Sequence, residues 1–379
     1  MAAEFGKPQW TFSMVTYAIA DANRIAVTYT EDGRWKLALI DVDSQVFAPI
    51  ELPVEPLESI KANANGIYFV GGSPTESSAI VALSNPPQGG HYSVLRSAAT
   101  ESIPRAWISV AEAVTFKAGD RDVHAFYYAP KNPEISGASS ASGASSASGA
   151  AGFPPLLVIT HGGPTGATTD VLDPKIQFWT SRGFAVLDVN YSGSTGYGRP
   201  YRDRLRSQWG IVDVEDVVAG AQAMVAAGKA DPARLIIRGG SAGGYTTLAA
   251  LTFHDTFKSG ASYYGISDLE VLQQDTHKFE SRYNDSLIGP YPGARDIYKA
   301  RSPIHFTDRL ACPIILFQGL EDKVVPPNQS EMMAEAVRKK GLKVKYVAFE
   351  GEQHGFRKAE NIIRSLEEEL AFYRDVFEM

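Results

Sequence analysis

Residues 234–251 read RLIIRGGSAGGYTTLAAL: an apolar strand runs into Gly239-Gly240-Ser241-Ala242-Gly243 and then into a helix-forming stretch. This is G-x-S-x-G in a strand–turn–helix setting, the context that a nucleophile elbow requires. The small residues suit a tight, strained turn in which larger side chains would clash as Ser241 is pushed out toward substrate. At the start of the following helix, backbone N–H groups without intrahelical partners and the helix dipole favour a developing oxyanion. The segment therefore marks Ser241 as a candidate nucleophile for acyl transfer.

Outward from the elbow, strands and helices alternate, which predicts an α/β domain with a mainly parallel sheet. The expected strands are 156–160, 184–189, 234–238, 259–264, 313–317 and 344–349. Between them Val214, Val217, Val218, Ala221, Met224 and Val225 recur at helical spacing on one face. A last helix carries Ile363, Leu366, Leu370, Tyr373 and Phe377 at steps of three and four, and its Glu367–Glu369 run reads as a solvated outer face.

A serine nucleophile needs a base, and an elbow of this kind is followed in chain order by an acid and then a histidine. Four histidines follow Ser241: His254, His277, His305 and His354. His354 lies in FEGEQHGF, just past a strand and before the last helix, and is the expected base. His254 falls near the end of the elbow helix as a surface residue, and His277 and His305 lie in an irregular region between core strands. The acid should follow strand 313–317, where Glu321 and Asp322 both qualify on chemistry. The Gly-rich turn His161-Gly162-Gly163-Pro164 after the first parallel strand lets backbone N–H groups approach a carbonyl oxygen. No HExxH or paired-His spacing occurs, so no metal is expected. GGSAGG lacks the Lys-Ser/Thr of a phosphate loop, and SGSTGYG (192–198) has its glycines in the wrong order for a dinucleotide fingerprint.

Up to about residue 117 the pattern changes to short, alternating, β-branched and aromatic-rich runs. Residues 24–30 and 35–41 flank an Asp-Gly hairpin signal, and 66–71 and 79–83 form a second pair around a Ser-Pro turn. The corresponding Ile25 and Ile67 lie 42 residues apart, which matches the period of about 40–45 residues of a four-stranded propeller blade. Two repeats fall short of the roughly four to eight that close a propeller. Within residues 136–152 the hexamer GASSAS is written twice, a flexible insertion by composition. It separates strands 122–130 and 154–160, which belong to one sheet on this reading, so it is expected as a disordered hairpin insertion inside a domain. The domain boundary falls earlier, giving 1–111 and 112–379.

The chain has 379 residues with a formal net charge of −7, a balance that speaks against nucleic-acid or anionic-membrane partners. Its one cysteine, Cys312, excludes an intramolecular disulfide and precedes an apolar run, so a buried, inert thiol is expected. The N-terminal MAAEFGKPQW has no apolar signal core, and no eighteen apolar residues run together; the expectation is a soluble, cytoplasmic protein.

Taken together, HGGP (161–164), GGSAGGY (239–245), GLEDKVVP (319–326) and GEQHGF (351–356), with VNYSGSTGYG (189–198) and WGIVDVEDV (209–217), resemble the prolyl oligopeptidase family of serine peptidases. The likeness covers residues 112–379 and is nearest to the acylaminoacyl-peptidase and dipeptidyl-peptidase-like branch. It implies an α/β-hydrolase fold with helices on both faces of the sheet. It also implies Ser241 as nucleophile, Asp322 as acid and His354 as base. Ala242 N–H and a backbone N–H near Gly163 become the oxyanion donors, and no cofactor is implied. Val324 and Val325 are candidates to line a specificity pocket, or else pack under Asp322. The first hundred residues resemble the last part of the family's propeller, about two blades of it, so a truncated propeller is expected. Its unpaired strand edges would allow a homo-oligomer. The activity implied is hydrolysis of short peptides through an acyl-enzyme. The alternatives are an esterase or general acyl hydrolase using the same triad, and an inactive or binding-only truncated product.

Overall fold

The computed structural model describes residues 3–8, 14–84, 90–134, 152–276, 278 and 280–379. The chain forms two compact units, Met1–Ala111 with Thr169–Phe178 and Ser194–Arg202, and Glu112–Thr168 with Trp179–Gly193 and Asp203–Met379.

The first unit holds two four-stranded antiparallel sheets in simple up-and-down order. One is β1 (Tyr17–Ile19), β2 (Arg24–Glu31), β3 (Arg34–Asp41) and β4 (Phe47–Ile50); the other is β5 (Glu55–Asn63), β6 (Gly66–Ser73), β7 (Glu76–Ser84) and β8 (His91–Ser97). Ile25 and Ile67 are each the second residue of the second strand of their sheet, so the 42-residue spacing is that of two equivalent blades. The β2–β3 turn has Asp32 at φ 51° and Gly33 at φ 74°, the backbone that an Asp-Gly hairpin turn requires. Ala26, Leu37 and Leu39 of one sheet pack with Ile60, Ile67, Phe69, Val81 and Leu83 of the other in one apolar cluster.

The second unit is an eight-stranded sheet with β9 (Glu112–Ala118), β10 (Arg121–Tyr128), β11 (Leu156–Thr160), β12 (Ala185–Asn190), β13 (Leu235–Gly240), β14 (Ser259–Tyr263), β15 (Ile314–Gly319) and β16 (Val344–Phe349). Its order is β16-β15-β14-β13-β11-β12-β10-β9, parallel from β12 through β16, with β10 and β9 antiparallel at one edge. This is the α/β-hydrolase fold, and all six strands expected from the alternating pattern are present. The inner strands β12, β14 and β15 are buried throughout, as near-continuous apolar runs in a parallel sheet should be.

Two expectations need correction. Strands β10 and β11 do share the sheet, but β12 runs between them, so the Gly/Ala/Ser segment does not close a hairpin. Residues 135–151 of that segment lie outside the described residues. On the last helix, Ala359–Phe377, the inward face is Ser365, Glu369, Leu370, Phe372 and Tyr373, while Ile363 is exposed. Glu369 is fully buried rather than solvated. A run of three glutamates reads as surface by composition, yet Glu369 sits four residues before Tyr373 on the buried stripe. A charge partner makes that burial tolerable: Arg238 lies 3.3 Å from its carboxylate.

Candidate active site

The elbow takes its shape from backbone crowding. Ser241 sits between β13 and the helix Ala242–Phe253 at φ 56°, ψ −122°, a left-handed conformation that strains a non-glycine residue. Its N–H donates to Tyr263 O at 2.9 Å, which ties the turn to β14. A Cβ added at Gly243 would stand 2.1 Å from Thr160 O, and one at Gly239 2.1 Å from Thr160 Oγ1. Glycine is therefore demanded at both positions by the approach of β11, whose Thr160 hydroxyl donates to Gly243 O at 2.7 Å.

His354 and Asp322 meet Ser241 from two loops on the same end of the sheet. His354 Nε2 lies 2.8 Å from Ser241 Oγ, and His354 Nδ1 lies 2.8 Å from Asp322 Oδ2. Asp322 is buried, and its Oδ1 accepts from the N–H groups of Val324 and Val325, both at 2.9 Å. With Oδ1 held by these two donors, Oδ2 faces His354, and a carboxylate oxygen accepts, so the proton of the imidazole sits on Nδ1. Nε2 is thereby left to accept from the serine hydroxyl. The neighbouring Glu321 is exposed, which separates the two acids that chemistry alone left level.

The two loops are laced together. Leu320 N–H donates to Phe349 O at 3.1 Å, and Glu321 N–H donates to Glu352 O at 2.9 Å. The buried Glu352 carboxylate accepts from Arg357 N–H, Lys358 N–H and Asn361 Nδ2 at 2.8–3.0 Å. Burial pushes that carboxyl up, but the hydrogen bonds outweigh it and hold it below its ordinary range. Glu352 therefore anchors the loop bearing His354 to the start of the last helix. The sequence reading passed over it because a Glu two residues before His354 looks like an ordinary loop charge.

The Gly-rich turn lies against Ser241: a Cβ on Gly162 would stand 3.5 Å from Ser241 Cβ. Tyr191 OH donates to His161 O and Pro164 O, both at 3.0 Å, and fixes the turn. The His161 ring stacks on Tyr191 with centroids 4.2 Å apart, and its Nδ1 lies 2.8 Å from Gly162 O. Burial lowers His161 to about 4, so it stays neutral near pH 7. Gly163, Ala242, Trp209, Ile266, Val324 and Val325 line one small cavity together with Ser241. Ala242 opens the elbow helix, where a backbone N–H has no intrahelical acceptor.

The remaining candidates lie apart from this cluster. His254 is exposed at the end of the elbow helix, and His305 is exposed with its Nε2 3.6 Å from Asp268 Oδ2. His277 lies outside the described residues. Cys312 is a buried free thiol, pushed up to about 11 by burial. Among the described residues no group of three or more His, Cys, Asp or Glu is arranged to hold a metal ion, and no helix is long and apolar enough to cross a membrane.

Residues 171–379 match the family model described as the prolyl oligopeptidase family. Among curated relatives, dipeptidyl peptidase family member 6 of Caenorhabditis elegans is 34% identical over 214 residues, 54% of this chain and 29% of that protein. The uncharacterized peptidase YuxL of Bacillus subtilis is 24% identical over 358 residues, 92% of this chain and 50% of its own length. Among solved structures, a Mycobacterium tuberculosis puromycin-hydrolyzing peptidase superposes with a TM-score of 0.92 at 45% identity, covering 99% of this chain and 55% of that one. A puromycin hydrolase matches with the same TM-score at 38% identity, covering 100% and 56%. The chain thus spans about half the length of these solved structures, and less than a third of the first curated relative.

Proposed function

Because the chain belongs to the prolyl oligopeptidase family, we propose that it is a serine peptidase that hydrolyses short peptides and related aminoacyl amides through an acyl-enzyme. The observation that carries this reading is the line Ser241 Oγ–His354–Asp322, closed by two contacts of 2.8 Å. Ser241 Oγ attacks the scissile carbonyl carbon while His354 Nε2 takes its proton. The carbonyl oxygen becomes an oxyanion held by the N–H groups of Gly163 and Ala242. Collapse of this intermediate breaks the C–N bond, and the leaving amine takes the proton from His354. Water then attacks the ester with His354 again as base, releasing the acid and restoring Ser241. Asp322 keeps Nδ1 protonated and stabilises the imidazolium formed in each half.

Val324 and Val325 serve the site twice on this reading: their N–H groups orient Asp322, and their side chains wall the cavity beside Ser241. Residues 112–379 form the catalytic domain and residues 1–111 a two-blade part of a propeller. The partner is a peptide, not nucleic acid, in keeping with the net charge of −7. The protein works in the cytoplasm, where its single thiol stays reduced, and cell fractionation tests that location.

The decisive experiment is labelling with a fluorophosphonate probe, beside Ser241→Ala and His354→Ala. Labelling of the wild type alone supports the reading, and labelling of Ser241→Ala overturns the choice of nucleophile. Turnover of an N-acyl-aminoacyl anilide, and of puromycin as named for the solved relatives, is then compared with a p-nitrophenyl ester. Hydrolysis of the ester alone would make the chain an esterase.

A further inference from the structure

The two hydrogen bonds of His354 are made by its ring nitrogens, Nδ1 toward Asp322 and Nε2 toward Ser241. Both act at the ring edge, and neither packs against the imidazole. Proton transfer from Ser241, and later to a leaving amine at the same nitrogen, is sensitive to small displacements of the ring. A packing contact limits such displacements, and the residue standing there is Tyr264.

Three observations single it out. Tyr264 follows β14 at φ 40°, a backbone conformation rare for a bulky side chain, and strain of this kind gathers at functional sites. Its ring packs steeply tilted against the His354 imidazole, with centroids 4.9 Å apart and planes at 61°. The same ring meets Phe356, two residues past the base, at 5.5 Å and 84°. It also overhangs the elbow: a Cβ added at Gly240 would lie 3.1–3.3 Å from the ring and its hydroxyl. One aromatic side chain thus touches the base, the loop that carries it and the strand end that presents the nucleophile. The backbone beneath it is held by Tyr264 N–H donating to Phe317 O at 2.7 Å. A side chain at Gly240 would crowd this ring.

We propose that Tyr264 is the positioning residue of the base, its ring holding the His354 imidazole in place between Asp322 and Ser241. The proposal rests on the reading of Ser241, His354 and Asp322 as a triad. Ring contact, not the hydroxyl, carries the effect.

The test uses the full chain and its Tyr264→Phe and Tyr264→Leu variants. The rate of fluorophosphonate labelling, kcat and KM on an activated ester, the pH profile of kcat/KM and the melting temperature are measured for each. Tyr264→Phe should stay within about threefold of wild type. Tyr264→Leu should lose about ten- to hundredfold in labelling rate and in kcat, with KM little changed. Its pH profile should shift, because an imidazole displaced into the space left by the ring no longer keeps its full contact with Asp322. If Tyr264→Leu does not fold, Phe356→Leu frees the ring from its other side and should slow labelling about three- to tenfold. Wild-type labelling by the leucine variant, equal losses in the Phe and Leu variants, or an unmoved pH profile would overturn the proposal. Failure of the triad reading is distinguished by its own controls: an unlabelled wild type, or His354→Ala labelled at the wild-type rate.

Discussion

Glu369→Ala should destabilise this chain more than removing Glu369 and Arg238 together. The Glu369 carboxylate is fully buried under β13 and β14, 3.3 Å from Arg238, and accepts from Tyr263 OH at 2.5 Å and Tyr373 OH at 2.8 Å. The Arg238 guanidinium lies over the Tyr263 ring at 4.8 Å and the Trp179 ring at 5.7 Å. Burial raises Glu369 above its ordinary range despite the pull of Arg238, so the pair sits where desolvation rivals attraction. Alanine at 369 leaves a buried guanidinium without its counter-charge, at about 3–5 kcal/mol. Tyr373 OH also loses its acceptor and Tyr263 OH keeps only Ser365 O at 3.5 Å, at about 1–3 kcal/mol each. The sum is about 5–11 kcal/mol, comparable to the whole stability of an ordinary domain at about 5–15 kcal/mol. In Arg238→Met/Glu369→Leu the charge cost vanishes and the loss at the phenols remains, so the double variant should recover about 3 kcal/mol or more over Glu369→Ala. Urea unfolding followed by circular dichroism and tryptophan fluorescence measures the cycle. Should the single variant be insoluble, the solubility of the double variant reads the same sign. A Glu369→Ala protein within about 1 kcal/mol of wild type, or a double variant no more stable than Glu369→Ala, refutes the reasoning.

Three further outcomes are expected. Burial raises Asp213 to about 6 against the hydrogen bonds from Thr246 and Gly210. The folded chain therefore binds more protons than the unfolded chain between about pH 4 and 6, and stability falls as pH rises through that window. Asp213→Asn cannot ionise, so its stability relative to wild type should improve by up to about 3 kcal/mol between pH 4 and 7; a flat or reversed difference in thermal unfolding counts against this. Asp322→Asn keeps an acceptor for Val324 and Val325 but offers His354 an N–H, forcing the proton onto Nε2. Fluorophosphonate labelling should slow about 10³- to 10⁴-fold with little change in melting temperature, and a loss under tenfold would contradict the assigned role. Cys312, with its thiol pushed up to about 11 by burial, should resist iodoacetamide at pH 8 in the native chain and react once unfolded; mass spectrometry decides.

The sequence by itself settled whatever is written locally. GGSAGGY forced an elbow because only small residues fit beneath Thr160, and alternating strands and helices fixed a parallel sheet. A 42-residue period, together with an Asp-Gly turn, gave two equivalent blades. Chain order and strand ends pointed to His354 and narrowed the acid to Glu321 or Asp322, of which the family resemblance implied Asp322; in the structure Asp322 contacts His354, and His354 contacts Ser241. Tertiary structure alone decided what depends on partners distant in the chain. Glu369 looked like surface until Arg238, 131 residues earlier, turned up beside it, and nothing in a run of glutamates announces such a partner. Glu321 and Asp322 are chemically alike, and only burial with the N–H groups of Val324 and Val325 separates them. Tyr264 is only the last residue of the expected strand 259–264 in the sequence, since neither its positive φ nor its contact with His354 is encoded by its neighbours. Spacing along the chain reports periodicity and tight turns; the pairing of buried charges and the bracing of a base arise where separate elements meet.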